Sequence, residues 1–202
     1  MKNNFCHHLS INIRIDLYAL MKNKMLALAE PNKQWMTRIK PDSELNAFLA
    51  QFDLTCNQAR IFYTPPGGTL RVHADCNTPI KGPEDFVDPD NNQYSHTIKI
   101  NWVFGAPTST MSWWRPNDAS GIGDQIVTVV GSPYIPFVEE NCTKIWSEHI
   151  TDPCLLNVGQ PHSVENETTE GRWCMSFAIS DRDLSKLLTW EDVCERLKDY
   201  IK

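Results

Sequence analysis

In "LRVHADCN" (70–77), His73 and Asp75 stand two residues apart in a strand-like apolar run beside a Gly/Pro-rich turn. On a strand, residues i and i+2 share a side. Leu70, Val72 and Ala74 are therefore expected on one face, and Arg71, His73 and Asp75 on the other. Imidazole and carboxylate on one face make a solvated edge, a hydrogen-bonded pair, or two arms of a metal chelate. A third ligand would decide among these. His162 in "LLNVGQPHSVEN" is the candidate, because an apolar strand, a Gly-Gln-Pro turn and a histidine opening the next strand would aim its ring at a cavity mouth. His96 and His149 compete with it, and for any single histidine a surface or satisfied-core role is the commoner one. Ten residues after His162 comes "GRWCMSFAIS". Alternation puts Arg172, Cys174, Ser176 and Ala178 on one face and the core stripe Trp173, Met175, Phe177 and Ile179 on the other. A guanidinium followed by small residues invites a bound carboxylate, which its planar fork holds bidentately. The alternative is an exposed arginine in a surface salt bridge.

These residues must be positioned by short strands. From 58 to 180, about nine β-rich runs alternate with turn signals: "ARIFYT", "TLRVHA", "HTIKINWVFG", "TMSWWRP", "QIVTVVGSPYIPFVE", "TKIWSEHI", "PCLLNVGQP", "HSVEN" and "RWCMSFAIS". That spacing predicts a sandwich or barrel. The chain of 202 residues suits one domain, 1–202, with a β core over about 58–180 and flanks at 1–57 and 181–202 that are partly helical. In the first flank "PDSELNAFLAQF" has Asp42 or Ser43 as N-cap and apolar residues at helical spacing. In the second, Ser180 with Asp183 and Thr189 with Asp192 resemble N-caps followed by an acid. The long polar, Pro-rich stretch 76–95 reads as a substrate lid.

Composition narrows the class. The hydrophobic fraction of 41% and charged fraction of 22% are those of a globular protein, and the net charge of −6 disfavours nucleic acid or an anionic membrane as partner. No run approaches the ~20 apolar residues of a membrane span. The first 25 residues mix charges among apolar residues and lack a signal-peptide core. Seven cysteines without a CxxC suggest free thiols in a reducing, cytoplasmic compartment.

His73-x-Asp75, His162 in "NVGQPHSVEN" and Arg172 in "GRWCMSF", in a β-rich chain, resemble the Fe(II)- and 2-oxoglutarate-dependent oxygenase superfamily over roughly residues 58–180. The resemblance implies a mainly β, double-stranded β-helix (jelly-roll, cupin-like) fold with flanking helices. It implies that His73, Asp75 and His162 are the 2-His-1-carboxylate iron ligands, which leave one face of the metal open for 2-oxoglutarate and O₂. Arg172 would bind the distal carboxylate of 2-oxoglutarate.

Many relatives carry a serine or threonine two residues after that arginine; here the position is Cys174, with Ser176 beyond it. Tyr63 is the candidate for a helping hydroxyl, and a core aromatic is the alternative. Lys99 and Asn101 share a strand face suited to cosubstrate or substrate contact, or to solvent. Trp113 and Trp114 are not expected to be core together on one strand, so one of them is expected at the substrate mouth. The expected reaction is hydroxylation of a protein, peptide or amino-acid side chain, or oxidation of a small metabolite. Three rivals remain: a cupin-like metal-binding barrel with no use for Arg172, a non-catalytic binding barrel, and a zinc hydrolase with Glu165 or Glu167 as base.

Overall fold

The computed structural model describes residues 3–13, 15, 22, 32–76, 92–128, 130–151 and 153–202. Most of the stretch read as a lid, 77–91, lies outside the described residues. Twelve strands form two six-stranded antiparallel sheets. In chain order they are β1 (Cys6–His8), β2 (Trp35–Ile39), β3 (Leu54–Thr64), β4 (Thr69–Asp75), β5 (Ile98–Phe104), β6 (Thr110–Pro116), β7 (Ile126–Val127), β8 (Pro133–Pro136), β9 (Cys142–Glu148), β10 (Cys154–Asn157), β11 (His162–Glu165) and β12 (Arg172–Asp181). One sheet runs β1-β10-β5-β12-β3-β2 and the other β7-β8-β4-β11-β6-β9. This is a jelly-roll.

The two sheets have different neighbours. The outer face of the first, with Ile61, Tyr63, Ile98, Ile100, Met175 and Phe177, packs into one core with Leu45, Leu49, Val193 and Leu197. Those four come from two short helices and their ends, α1 (Ser43–Leu49) and α2 (Trp190–Arg196). Asp42 caps α1 by accepting from the Leu45 amide at 2.9 Å. Thr189 and Asp192 form a full capping box on α2. Ser180 starts no helix; it lies within β12. None of the described helices is long and apolar enough to cross a membrane.

The first flank departs from expectation by contributing strands. β1 and β2 close the two edges of the first sheet, pairing β10 and β3. Covering an edge satisfies its backbone groups and blunts aggregation. "WMTRI" has no clean period-2 pattern, so nothing local marks it as a strand. The run "QIVTVVGSPYIPFVE" divides into β7 and β8, because a turn closed by the Thr128 carbonyl and the Gly131 amide at 2.8 Å folds it back.

Trp113 and Trp114 are both core, against expectation. They point to opposite faces of β6: Trp113 joins the cluster of Met111, Leu156 and Val164, and Trp114 that of Val72, Ala74, Ile135 and Phe137. The reason is tertiary. Each indole is held by a partner elsewhere in the chain, Trp113 by the Asn157 carbonyl and Trp114 by Ser163 Oγ, so neither is left at a mouth.

Candidate metal centre

Two strands deliver the polar cluster to the face of the second sheet that looks toward the first. His73 and Asp75 end β4, and His162 opens β11 directly opposite His73. The pairing shifts between His162/Val164 and His73/Leu70, so β4 carries one extra residue there. That bulge corrects the simple alternation. Leu70 changes face and lines the same cavity as His73 and Asp75, while Val72 and Ala74 remain in the core behind.

The turn before His162 is tied on several sides. The Asp75 amide donates to the Val158 carbonyl at 2.8 Å, the Gly159 amide to Thr97 at 2.9 Å, and the Trp114 amide to Pro161 at 2.9 Å. A Cβ on Gly159 would collide with the Ser95 carbonyl, so only glycine allows this crossing. These bonds hold the end of β4 and the start of β11 in one rigid corner.

One donor atom from each of His73, Asp75 and His162 lies within 4.8 Å of the other two. The Nε2 of His73 is 3.8 Å from Asp75 Oδ1, and that of His162 is 3.9 Å from Asp75 Oδ2. The far side of each ring is fixed by backbone: His73 Nδ1 lies 2.7 Å from the Arg71 carbonyl and His162 Nδ1 2.9 Å from that of Gln160. Carbonyls only accept, so both Nδ1 atoms carry the proton and both Nε2 lone pairs face the third ligand. This is the outer support that metal-binding histidines normally have. Burial pushes the His162 imidazole down to about 3, with nearby His73 adding to the effect, so the ring is neutral and able to ligate. For Asp75 burial acts upward, but the Lys99 ammonium beside it holds the carboxyl well below its usual range. It is ionised.

Lys99 is the least expected member. It is only 5% exposed, and its Nζ sits 2.6 Å from Asp75 Oδ2. A buried ammonium is costly unless paired, and the carboxylate supplies that pairing. We expect Lys99→Met to destabilise the metal-free protein by on the order of 3 kcal/mol, because it strands a charged Asp75. Adding Zn(II) should restore most of that, since a cation returns to the carboxylate. Denaturant titrations with and without Zn(II) measure both; equal losses in the two series would deny that Lys99 acts through Asp75.

Arg172 opens β12, paired with Thr64. It is 4% exposed, and Nε donates to Ser109 Oγ at 3.1 Å. Among the described residues no carboxylate pairs with it. Cys174, Ser176, Lys99, Asn101, Thr64 and Phe62 line the same narrow cavity as Arg172 and the triad. The buried Asn101 Oδ1 has no hydrogen-bond partner there. Burial pushes the Cys174 thiol upward, against the lowering effect of the nearby Arg172 charge. A wider cavity of about 490 Å³ adjoins this one through His73, Asp75, Lys99 and Phe62, and is closed further out by Met36, Tyr134 and Phe137.

Tyr63 is not in this set. Odd-numbered residues of β3 from 59 to 63 face the helix-side core, where the Tyr63 ring lies 4.6 Å from that of Trp173. Its even-numbered neighbours Phe62 and Thr64 face the cavity instead. Trp113 and Trp114 also line neither cavity. Their indoles donate to the Asn157 carbonyl and to Ser163 Oγ. Glu165 and Glu167 line a separate cavity, and Glu165 is paired with Lys144 at 3.3 Å. Asp75 is thus the one acid among the described residues lining either cavity at the triad. Sequence reasoning missed Ser109, which sits in a β5–β6 connection with no local signal, and the bond from Lys99 to Asp75.

The donor set and its outer supports suit a divalent metal. Together the three donors could hold one metal ion.

No family model matches the chain and no curated protein is similar to it. Solved structures are distantly similar. HygX from Streptomyces hygroscopicus, with nickel and 2-oxoglutarate bound, is 11% identical, with 82% of this chain and 77% of that one covered and a TM-score of 0.42. A Pseudomonas putida prolyl-4-hydroxylase is 13% identical, with 81% and 85% covered and a TM-score of 0.38. Oxalate decarboxylase from Bacillus subtilis is 11% identical, with 84% and 32% covered and a TM-score of 0.30. Likenesses this distant carry no argument about chemistry, and the functional reading rests on the chain's own side chains.

Proposed function

We propose that this chain is a non-haem Fe(II)- and 2-oxoglutarate-dependent oxygenase that hydroxylates an amino-acid side chain, free or within a peptide or protein, with release of succinate and CO₂. The observation that carries the reading is Arg172: a buried guanidinium paired with no carboxylate among the described residues, in the cavity that also holds a convergent His-Asp-His set. A buried cation that no described carboxylate meets is a suitable receptor for an anionic cosubstrate. A cupin-like metal barrel has no need of it.

His73, Asp75 and His162 would hold Fe(II), and iron bound by such a set supplies the activation of O₂ coupled to oxidative decarboxylation of 2-oxoglutarate. The chain's own residues do the rest. Arg172, steadied by Ser109, fixes the distal carboxylate and so orients the keto-acid end toward the ligands. Asn101 offers a buried polar group beside it. Phe62, Leu70, Met111, Val158 and Val164 make the remaining wall apolar, which limits water around the reacting groups. Among the described residues the zinc-hydrolase reading lacks its base, since Glu165 and Glu167 line a separate cavity.

The test is spectroscopic. Adding 2-oxoglutarate to Fe(II)-loaded protein without oxygen should produce a visible charge-transfer band, which Zn(II), being d¹⁰, does not give. Admitting oxygen should bleach the band and form succinate. A wild-type protein loaded with Fe(II) that gives neither band nor succinate would end the oxygenase reading in favour of a metal-binding barrel.

A further inference from the structure

β2 and β3 set two arginines directly opposite each other, Arg38 against Arg60. Like charges facing across neighbouring strands repel. Arg60 is only 7% exposed, while Arg38 is exposed. A buried guanidinium normally rests on a carboxylate. Among the described residues neither arginine has one. Arg60 donates through Nη2 to Gln58 Oε1 at 3.0 Å, and its buried Nε has no partner. Arg38 donates through Nε to the Val130 carbonyl at 2.6 Å. Both line a cavity of about 230 Å³ whose walls hold no acidic side chain.

Arg60 lies one strand away from the triad's cavity. Arg60 stands in register with Ser176 on β12, and Ser176 with Asn101 on β5; both of those line the triad's cavity. Arg172 lies opposite Thr64, four residues along β3 from Arg60, or ~13 Å at strand rise. The two cationic sites are thus separate anchors. Arg38 is pre-set: the turn that contains Gly131 (φ +71°) packs on its guanidinium, where a Cβ would meet Nη2. One side of the fork is held by backbone, and the rest is left to an outside acceptor.

We propose that Arg38 and Arg60 form an oxyanion subsite that receives a carboxylate or phosphate group of the substrate, so that the molecule oxidised at the metal is an anion. Assigning this anion to the substrate rests on the oxygenase reading; the subsite itself does not. Two guanidinium forks offer paired donors to one oxyanion, which relieves their repulsion and satisfies Arg60.

The experiment uses the full chain, metal-free and without 2-oxoglutarate, titrated separately with inorganic phosphate and with acetate by NMR or calorimetry. The tighter of the two probes names the anion. Its affinity should fall about tenfold in Arg38→Gln, as expected when a charged hydrogen bond is lost, and also in Arg60→Lys, which keeps the buried charge but not the fork. It should persist in Arg172→Gln. Arg38 is exposed, so its replacement leaves the core intact. No binding of either probe, unchanged binding in Arg38→Gln, or loss only in Arg172→Gln would each overturn the subsite. The wild-type Fe(II) and 2-oxoglutarate band reports the oxygenase reading by itself, so the two failures are distinguishable.

Discussion

Asp75→Ala is expected to lower affinity for Fe(II) or Zn(II) by more than about 100-fold and to abolish succinate formation. Loss of a mere outer support typically costs 10–100-fold in metal affinity, and Asp75 is the only anionic donor of the set. The variant also strands the Lys99 ammonium in a buried site, so some stability is lost with the metal. His162→Ala separates the two effects. Its ring makes one backbone hydrogen bond, to Gln160, and its loss leaves no buried charge unpaired. Both variants should fail to compete with a chelator for Zn(II), while His162→Ala keeps a native thermal transition in the absence of metal. Retention of wild-type metal affinity by either would remove the triad from the mechanism. His149 serves as the control, because it bonds the Ser109 carbonyl outside the ligand set and its replacement should leave the metal bound.

Arg172→Ala should raise the concentration of 2-oxoglutarate needed for the anaerobic Fe(II) band at least tenfold. Hydrogen bonds to charged groups contribute about 1.5–3 kcal/mol, and a bidentate pair exceeds a single bond. Fe(II) affinity should hardly change, because Arg172 touches no ligand and its Nε donates to Ser109 instead. Arg172→Lys tests geometry against charge. An ammonium keeps the positive charge but loses the fork and the bond to Ser109, so affinity should be intermediate. An unchanged 2-oxoglutarate dependence in Arg172→Ala would leave the buried guanidinium unexplained and return the chain to the cupin-like reading.

The chain's own pattern determined a good deal of this protein. Nine β-rich runs between turn signals specify an all-β sandwich or barrel, because the alternation in stretches such as "RWCMSFAIS" sorts a core face from a polar one within a single strand. The same alternation puts Arg172, Cys174 and Ser176 together, and they share one cavity. His73 and Asp75 are neighbours on one face by period alone, and Lys99 and Asn101 likewise. Local chemistry also marked the Asp42 and Thr189 caps, whose bonds span three residues.

What depended on partners far along the chain was decided by tertiary structure. β1 and β2 are strands because β10 and β3 offer them open edges, not because their own residues demand it. The bulge that turns Leu70 into the cavity arises from register against β11. A second shift, where β12 pairs Ala178 with Gln58 but Ile179 with Cys56, sets which residues of β3 face the helices, and so sends Tyr63 to the core and Phe62 to the site. Trp113 and Trp114 are both buried because each joins a separate cluster drawn from other strands and loops, and a single strand carries no record of that. The pairing of Lys99 with Asp75, the support of Arg172 by Ser109, and the facing of Arg38 with Arg60 join residues 22 to 63 positions apart. Period-2 reasoning assigns a side chain to a face; only the packed sheets decide which charge it meets there.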